Sequence, residues 1–247
     1  MLPIRDDNPQ VGVPIATYTI IALNIIAWFL LQGFGEDSAL RASVCNYGLI
    51  PGDLFNDGLG DKVCAATGGW SGILSSMFMH GSWMHIIGNL WFLWIFGDNV
   101  EDSMGAIRFS IFYIASGLLA AAAQIVADPS SMIPMIGASG AIGGVMGAYI
   151  VLYPRVKVHL LVFIMTFRVP AFAMLGYWIG VQVLGGISSI GATGGGTAFW
   201  AHVGGFVAGA VLVLLFKDEE LLLNHPYHGW KQQAAPEDIW NKPQNRQ

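Results

Sequence analysis

Charged side chains are what this chain has least of. Asp, Glu, Lys and Arg make up 11% of its 247 residues, where a soluble domain carries roughly 25%. Together with 54% hydrophobic residues and a mean hydropathy of +0.57, the deficit excludes an ordinary water-soluble fold. Basic residues are outnumbered, 11 against 16 acidic, for a net charge of −5, so nothing points to nucleic acid. Cysteine is confined to Cys45 and Cys64, too few for a disulfide-stapled scaffold. No Cys/His metal-ligand spacing or phosphate-cradling glycine loop occurs, so no metal and no cofactor is expected. A Gly-x-Ser-x-Gly elbow is missing too, because Ala141 stands where its last glycine belongs. That argues against a soluble esterase with its serine on a strand-to-helix turn.

Long charge-free runs stand in place of charge: Val11–Gly35, Val63–Gly97, Phe109–Ala127, Pro129–Pro154 and Val169–Phe216. A membrane-spanning helix needs about 20 apolar residues. The first four runs hold one helix each. The last, broken by Gly185-Gly186 and by Gly191-Ala192-Thr193-Gly194-Gly195-Gly196, fits two, for six spans in all. The first apolar stretch, Thr17–Gln32, is too long for a signal-peptide core and lacks a small-x-small cleavage site. It reads as a retained span. The expected class is therefore an all-α polytopic membrane protein. Residues 1–14 form a short N-terminus, 15–216 one six-helix membrane domain with a long outer loop over 33–69, and 217–247 a C-terminal tail expected to be mobile.

Six spans put both termini on one side, and the basic residues name it. With the N-terminus inside, Arg5, Arg108, Arg155, Lys157, Arg168, Lys217, Lys231, Lys242 and Arg246 are cytoplasmic, and only Arg41 and Lys62 are outside. This obeys the positive-inside rule. The expected location is a cell (inner or plasma) membrane. Cys45 and Cys64 both fall in the outer loop, either as a disulfide or as two separate thiols; spacing does not decide. His225 and His228 of the tail are expected to be ordinary surface residues.

Against this apolar background a few polar residues stand out, and polar groups within membrane spans are functional hypotheses by default. Ser139 opens the fourth span, His202 lies near the start of the sixth, and His85 and Asn89 lie near the start of the second. Spans two, four and six run in the same direction, so all four residues share one depth, towards the outer face. Ser139, Gly143 and Gly147 recur at i, i+4, i+8, and His202, Gly205 and Gly209 at i, i+3, i+7. Each set lies on one helix face, and small residues at such spacing let membrane helices approach closely. A Ser–His hydrogen bond is the expected consequence. His85 and Asn89, at i, i+4, present two donors on one face, suited to a developing oxyanion. Gly137 and Gly140 leave the backbone around the serine accessible. Taken singly, each residue has a blander reading: a serine bonding back to its own helix, a histidine as an interhelical contact, a His/Asn pair as structural glue. Shared depth and shared small faces weigh against all three at once.

The chain resembles the rhomboid intramembrane serine proteases from about residue 12 to 216. The resemblance rests on His80-Gly81-Ser82-Trp83-Met84-His85-Ile86-Ile87-Gly88-Asn89, on Phe96-Gly97-Asp98-Asn99-Val100-Glu101, on Gly137-Ala138-Ser139-Gly140-Ala141 and on Ala201-His202-Val203-Gly204-Gly205. It implies Ser139 as nucleophile, His202 as general base, and His85, Asn89 and the Ser139 backbone N–H as oxyanion hole. It implies structural roles for His80 and Glu101. It also implies transmembrane protein substrates met within the lipid bilayer, and a fifth helix, about Ala171–Gly185, that takes part in their entry; as the gate of this chain, that helix is expected to be held shut with the help of bulky residues such as Phe172 and Trp178. Two departures stand out. The family often has an aromatic residue four positions after the nucleophile, where this chain has Gly143, so the imidazole must be oriented from elsewhere. Its usual Trp-Arg pair before the loop histidine is replaced by Trp70-Ser71. Rival readings are weaker. A catalytically silent relative that escorts membrane helices would be signalled by loss of Ser139 or His202, and both are present. A transporter predicts ionisable residues through the whole depth. The oligomeric state is not legible.

Overall fold

The structure, a computed structural model, describes residues 2–55, 64, 68–190, 196–228 and 231–232. A short strand, β1 (Leu2–Asp6), leads into helix α1 (Ile15–Leu30). No side chain of its own caps α1. Instead Glu101, eighty-odd residues on, accepts from the Ala16 N–H (2.9 Å), the Thr17 N–H (2.8 Å) and the Thr17 hydroxyl (2.8 Å). Asp102 accepts from the N–H groups of Val11 (2.7 Å) and Gly12 (2.9 Å). The first N–H groups of any helix lack intrahelical partners and carry its positive dipole end, so a buried carboxylate there satisfies donors that lipid cannot.

The segment expected as a loop over 33–69 carries regular structure. After a 3-10 turn at Gly33–Gly35 come α2 (Asp37–Tyr47), with the Glu36 side chain accepting from Ser38 and Ala39 N–H, α3 (Pro51–Phe55) and, past residues outside the description, the single turn α4 (Gly72–Ser75). The loop is tied down at several points. A disulfide joins Cys45 to Cys64. Leu49 and Met135 exchange backbone hydrogen bonds of 3.0 and 2.7 Å. Gln32, at the end of α1, brackets His80 with two bonds, His80 N–H to Oε1 (2.8 Å) and Nε2–H to His80 O (2.7 Å).

Next come α5 (Trp83–Asp102), α6 (Ala106–Ala127) and α7 (Ser139–Leu152). The connection Tyr153–Arg168, which carries Arg155, Lys157 and Arg168, folds into a hairpin of β2 (Lys157–Val162) and β3 (Met165–Pro170). With β1 it forms an antiparallel sheet in the order β1-β2-β3. The expectation of an all-α chain is corrected here. The physical reason is a run of β-branched and aromatic residues, Val158 to Val169, too short for a further span and well suited to a pleated surface. The helices α8 (Ala171–Ser189), α9 (Phe199–Phe216) and α10 (Glu219–Leu223) follow, then a minimal hairpin of β4 (Tyr227–His228) and β5 (Lys231–Gln232). The tail therefore does not leave the fold at residue 217: His225 is buried and its ring lies 4.9 Å from that of Tyr153. The remaining residues, 233–247, lie outside the description.

Among the described residues three helices, α6, α8 and α9, are long and apolar enough to cross a membrane, and α1 and α7 are apolar but shorter. The core is built on α7, α9 and α6, with α9 packed extensively against both of the others. Their glycines explain the closeness. A Cβ on Gly147 would stand 2.0 Å from Phe206 O, one on Gly205 2.0 Å from Gly140 O, and one on Gly209 2.0 Å from Gly144 O. On the face of α7 turned to α6, a Cβ on Gly140 would meet Ala120 Cβ at 2.7 Å. By contrast nothing lies within 4 Å of a Cβ on Gly176 or Gly180 of α8, so these two do not serve close packing.

The sheet end of the molecule holds a titrating group. Asp6 accepts a short hydrogen bond from the Tyr149 hydroxyl. Burial pushes its carboxyl up to about 7, against the lowering effect of that bond. Its neighbour Asp7 goes the other way: burial opposes the shift, but hydrogen bonds from Arg168 and His159 outweigh it and hold that carboxyl below its ordinary value. A folded-state pKa above the unfolded value means that the protonated form favours folding. This stabilisation is complete below the ordinary carboxylate range and is lost as pH rises through about 7. The melting temperature should therefore fall between pH 5 and pH 8, and Asp6→Asn should flatten that decline. An equal decline in the variant would assign the pH dependence to other groups.

Candidate active site

The site forms where the first turns of α5, α7 and α9 meet the second half of α8. Ser139 is the first residue of α7 and His202 the fourth of α9. The contact of the two glycine faces holds the helices close enough for Ser139 Oγ and His202 Nε2 to lie 2.7 Å apart. The loop before the serine is fixed by a bond from Gly137 N–H to Ser76 O (2.9 Å). Gly137 has φ +122, a conformation that side-chain-bearing residues rarely adopt, and a Cβ there would meet His85 Nε2 at 2.9 Å. Glycine at 137 thus serves both the turn and the approach of the His85 ring to the serine.

The proton positions follow from the partners. His202 Nδ1 faces Gln182 Oε1 at 2.8 Å. The amide nitrogen of Gln182 points at Trp178 O, 3.4 Å away, which sets the amide orientation, since the reverse would oppose two carbonyl oxygens. An amide oxygen only accepts, so Nδ1 carries the ring proton. Nε2 is then bare and accepts from the Ser139 hydroxyl. His85 Nδ1 accepts from Gly81 N–H (3.2 Å), which leaves its Nε2–H as a donor on the side of Gly137. Asn89 is buried, and its Nδ2 has no hydrogen-bond partner. Ser139 N–H belongs to the first turn of α7, where intrahelical acceptors are lacking. The His85 ring and the Ser139 hydroxyl thus lie on either side of the Gly137 position, 2.9 and 3.4 Å from where its Cβ would stand, while Asn89 follows His85 by one turn of α5. A cavity of about 20 Å³ reaches the serine between Ser76, Met77, Ile136 and Gly137, room for about one water molecule. Among the described residues no group of three His, Cys, Asp or Glu is arranged to hold a metal ion.

Placement of the other sequence candidates is mixed. His80 is fully buried, its ring 5.2 Å from that of His85, and Glu101 caps α1 far from the serine. Gly140, Gly205 and Gly209 line the α7–α9 contact. Gly143 lies close against α9: a Cβ there would stand 3.1 Å from His202 O, so even a methyl group would need a shift of a few tenths of an ångström. The ring over the imidazole comes instead from α8: Trp178 lies 5.8 Å from His202, tilted by 35°. Phe172, expected with Trp178 to help hold the fifth helix closed, is the second residue of α8 and is exposed. Gln182 was not singled out from sequence. It is the only amide in α8, four residues after Trp178 and so on the same helix face, and that isolation was the available signal.

A family model described as the Rhomboid domain matches residues 67–219. The chain is 31% identical over 207 residues to the Rhomboid protease GluP of Bacillus subtilis (strain 168), a match that covers 83% of this chain and 36% of that protein. It is 26% identical over 151 residues to the Putative rhomboid protease YdcA of the same organism, 60% of this chain and 68% of the relative. It is 29% identical over 145 residues to Rhomboid protein 1, mitochondrial, of Saccharomyces cerevisiae, 56% of this chain and 40% of the relative. The chain thus spans little more than a third of the length of the first of these relatives.

Proposed function

Because this chain belongs to the rhomboid family of integral membrane proteins, we propose that it is an intramembrane serine endopeptidase that cuts transmembrane helices of other membrane proteins near the outer membrane face. The observation that carries this reading is the 2.7 Å contact between Ser139 Oγ and His202 Nε2, with the acceptor nitrogen turned to the hydroxyl. In the reaction, Nε2 takes the hydroxyl proton as Oγ attacks the scissile carbonyl carbon. The carbonyl oxygen becomes an oxyanion among the His85 Nε2–H, the Asn89 Nδ2–H and the Ser139 N–H. As the C–N bond breaks, His202 returns the proton to the leaving amine. A water then attacks the acyl-enzyme with His202 again as base, freeing the carboxylate product and Ser139. These residues supply nucleophile, base and oxyanion donors without a cofactor.

In this reading α1, α5, α6, α7, α8 and α9 are six spans of one membrane domain over residues 15–216. Both termini face the cytoplasm of a cell membrane, and the site faces outward. Support comes from the basic residues Arg108, Arg168 and Lys217, which by helix direction lie at the end of the bundle opposite Ser139. The test is reconstitution in proteoliposomes with a single-span substrate and mass spectrometry of the fragments. New termini within or at the outer edge of the span are expected. Binding of the helix without any cleavage would favour an escort protein instead.

The unpartnered Asn89 amide gives a finer expectation. Asn89→Ala should leave Ser139 open to covalent labelling yet lower turnover about 10²-fold, the usual effect of removing one oxyanion donor. Unchanged turnover would remove Asn89 from the oxyanion site.

A further inference from the structure

Outside the serine and its donors, one buried polar side chain addresses the site directly. Gln182 lies on the face of α8 turned to α9, 8% exposed, in a helix otherwise free of amides. Its Oε1 sits 2.8 Å from His202 Nδ1. A polar side chain inside a membrane span is costly without a partner, and the partner here is the histidine. Trp178, one turn earlier, covers the same ring and supplies the backbone carbonyl that holds the Gln182 amide nitrogen.

On the reading of Ser139 and His202 given above, we propose that Gln182 is a positioning residue of His202: it selects the tautomer with the proton on Nδ1 and holds the ring with bare Nε2 towards the serine. A neutral imidazole carries one proton on either nitrogen, and only the Nδ1–H form accepts the Ser139 proton. Once that proton moves to Nε2, the ring is cationic and Nδ1–H becomes the donor of a charge-assisted bond to Oε1, stronger than before the transfer. Gln182 thereby does with a neutral carbonyl part of what an aspartate does in a Ser-His-Asp triad. It also accounts for the small residue at 143: orientation comes from α8, so no aromatic on α7 is needed. Both orienting groups ride on one helix. A displacement of α8 from α9 would release the imidazole, and chemistry would resume only on its return.

The test uses the full-length protein in proteoliposomes, with a fluorophosphonate probe and a small soluble peptide ester. Gln182→Leu, near in volume but without an acceptor, should lower the rate of Ser139 labelling and kcat by about 10- to 100-fold with KM little changed. Gln182→Glu places a carboxylate at Nδ1 and should recover most of the rate, with the acidic limb of the pH–rate profile moved to higher pH, because the anion favours the imidazolium. Should the leucine variant fold poorly, nitrogen-15 spectra of labelled histidine in Gln182→Asn and wild type decide the matter. Wild type should show bare Nε2 at His202, and the shortened amide a mixture of tautomers. A leucine variant that labels like wild type, an unshifted profile in the glutamate variant, or one tautomer in both spectra would overturn the role of Gln182. If wild type and Ser139→Ala label alike, the Ser–His reading itself is at fault.

Discussion

Ser139→Ala should abolish cleavage of a reconstituted transmembrane substrate, and His202→Ala should do the same, while both variants fold and insert as wild type does. Neither side chain holds the fold together. Ser139 Oγ and His202 Nε2 bond to each other, and the close α7–α9 contact is made by glycines and backbone (Gly147 on Phe206 O, Gly205 on Gly140 O). Losing either member of a nucleophile–base pair lowers kcat by about 10⁶-fold in a serine protease, and the double variant is scarcely worse, since the two act as a unit. The double variant should therefore match the singles. Two losses that multiply would mean that the residues act separately.

The second large effect is structural. Gly205→Val should separate α9 from α7 or prevent folding, with loss of activity and of thermal stability together. Its Cβ would stand 2.0 Å from Gly140 O and 2.9 Å from Gly140 C, and a backbone carbonyl in the first turn of a helix has no rotamer with which to give way. Overpacking a core with side chains that can shift costs about 1–3 kcal/mol; here the cost should exceed that range. Gly180→Ala on α8 is the control. Nothing lies within 4 Å of its Cβ, and Ala is about 1 kcal/mol the better helix former, so this variant should be as stable as wild type or more so. Similar losses in both would show that the α7–α9 contact is not what makes Gly205 intolerant of a side chain.

The same contrast shows what was legible in the sequence. Ser139 and His202 stood out because a polar group in a charge-free run has few innocent explanations, and helix direction placed them at one depth. The glycines at i+4, i+8 and i+3, i+7 named the faces that touch. Gly176 and Gly180 carry the same spacing, yet they meet nothing; spacing names a face, not its neighbour. Gln182 and Trp178 were harder, because their role depends on how α8 is rotated against α9, which no single-helix pattern encodes. The strands around Asp6, Asp7 and His159 were hidden for another reason. The basic residues of their segment mark it as a link between spans, and a short β-branched run such as that between Lys157 and Arg168 does not by periodicity alone separate a strand from a helix end. His225 was read as a surface residue by composition, although its burial against Tyr153 is a tertiary contact with no local signature.

The central claim is that Ser139 is a nucleophile activated by His202. It is tested most directly by reacting the wild-type protein in proteoliposomes with a fluorophosphonate and locating the adduct by peptide mass spectrometry. The account predicts a single adduct on Ser139, absent from Ser139→Ala and strongly slowed in His202→Ala. An adduct on another residue, or labelling of Ser139 that is indifferent to His202, would contradict it.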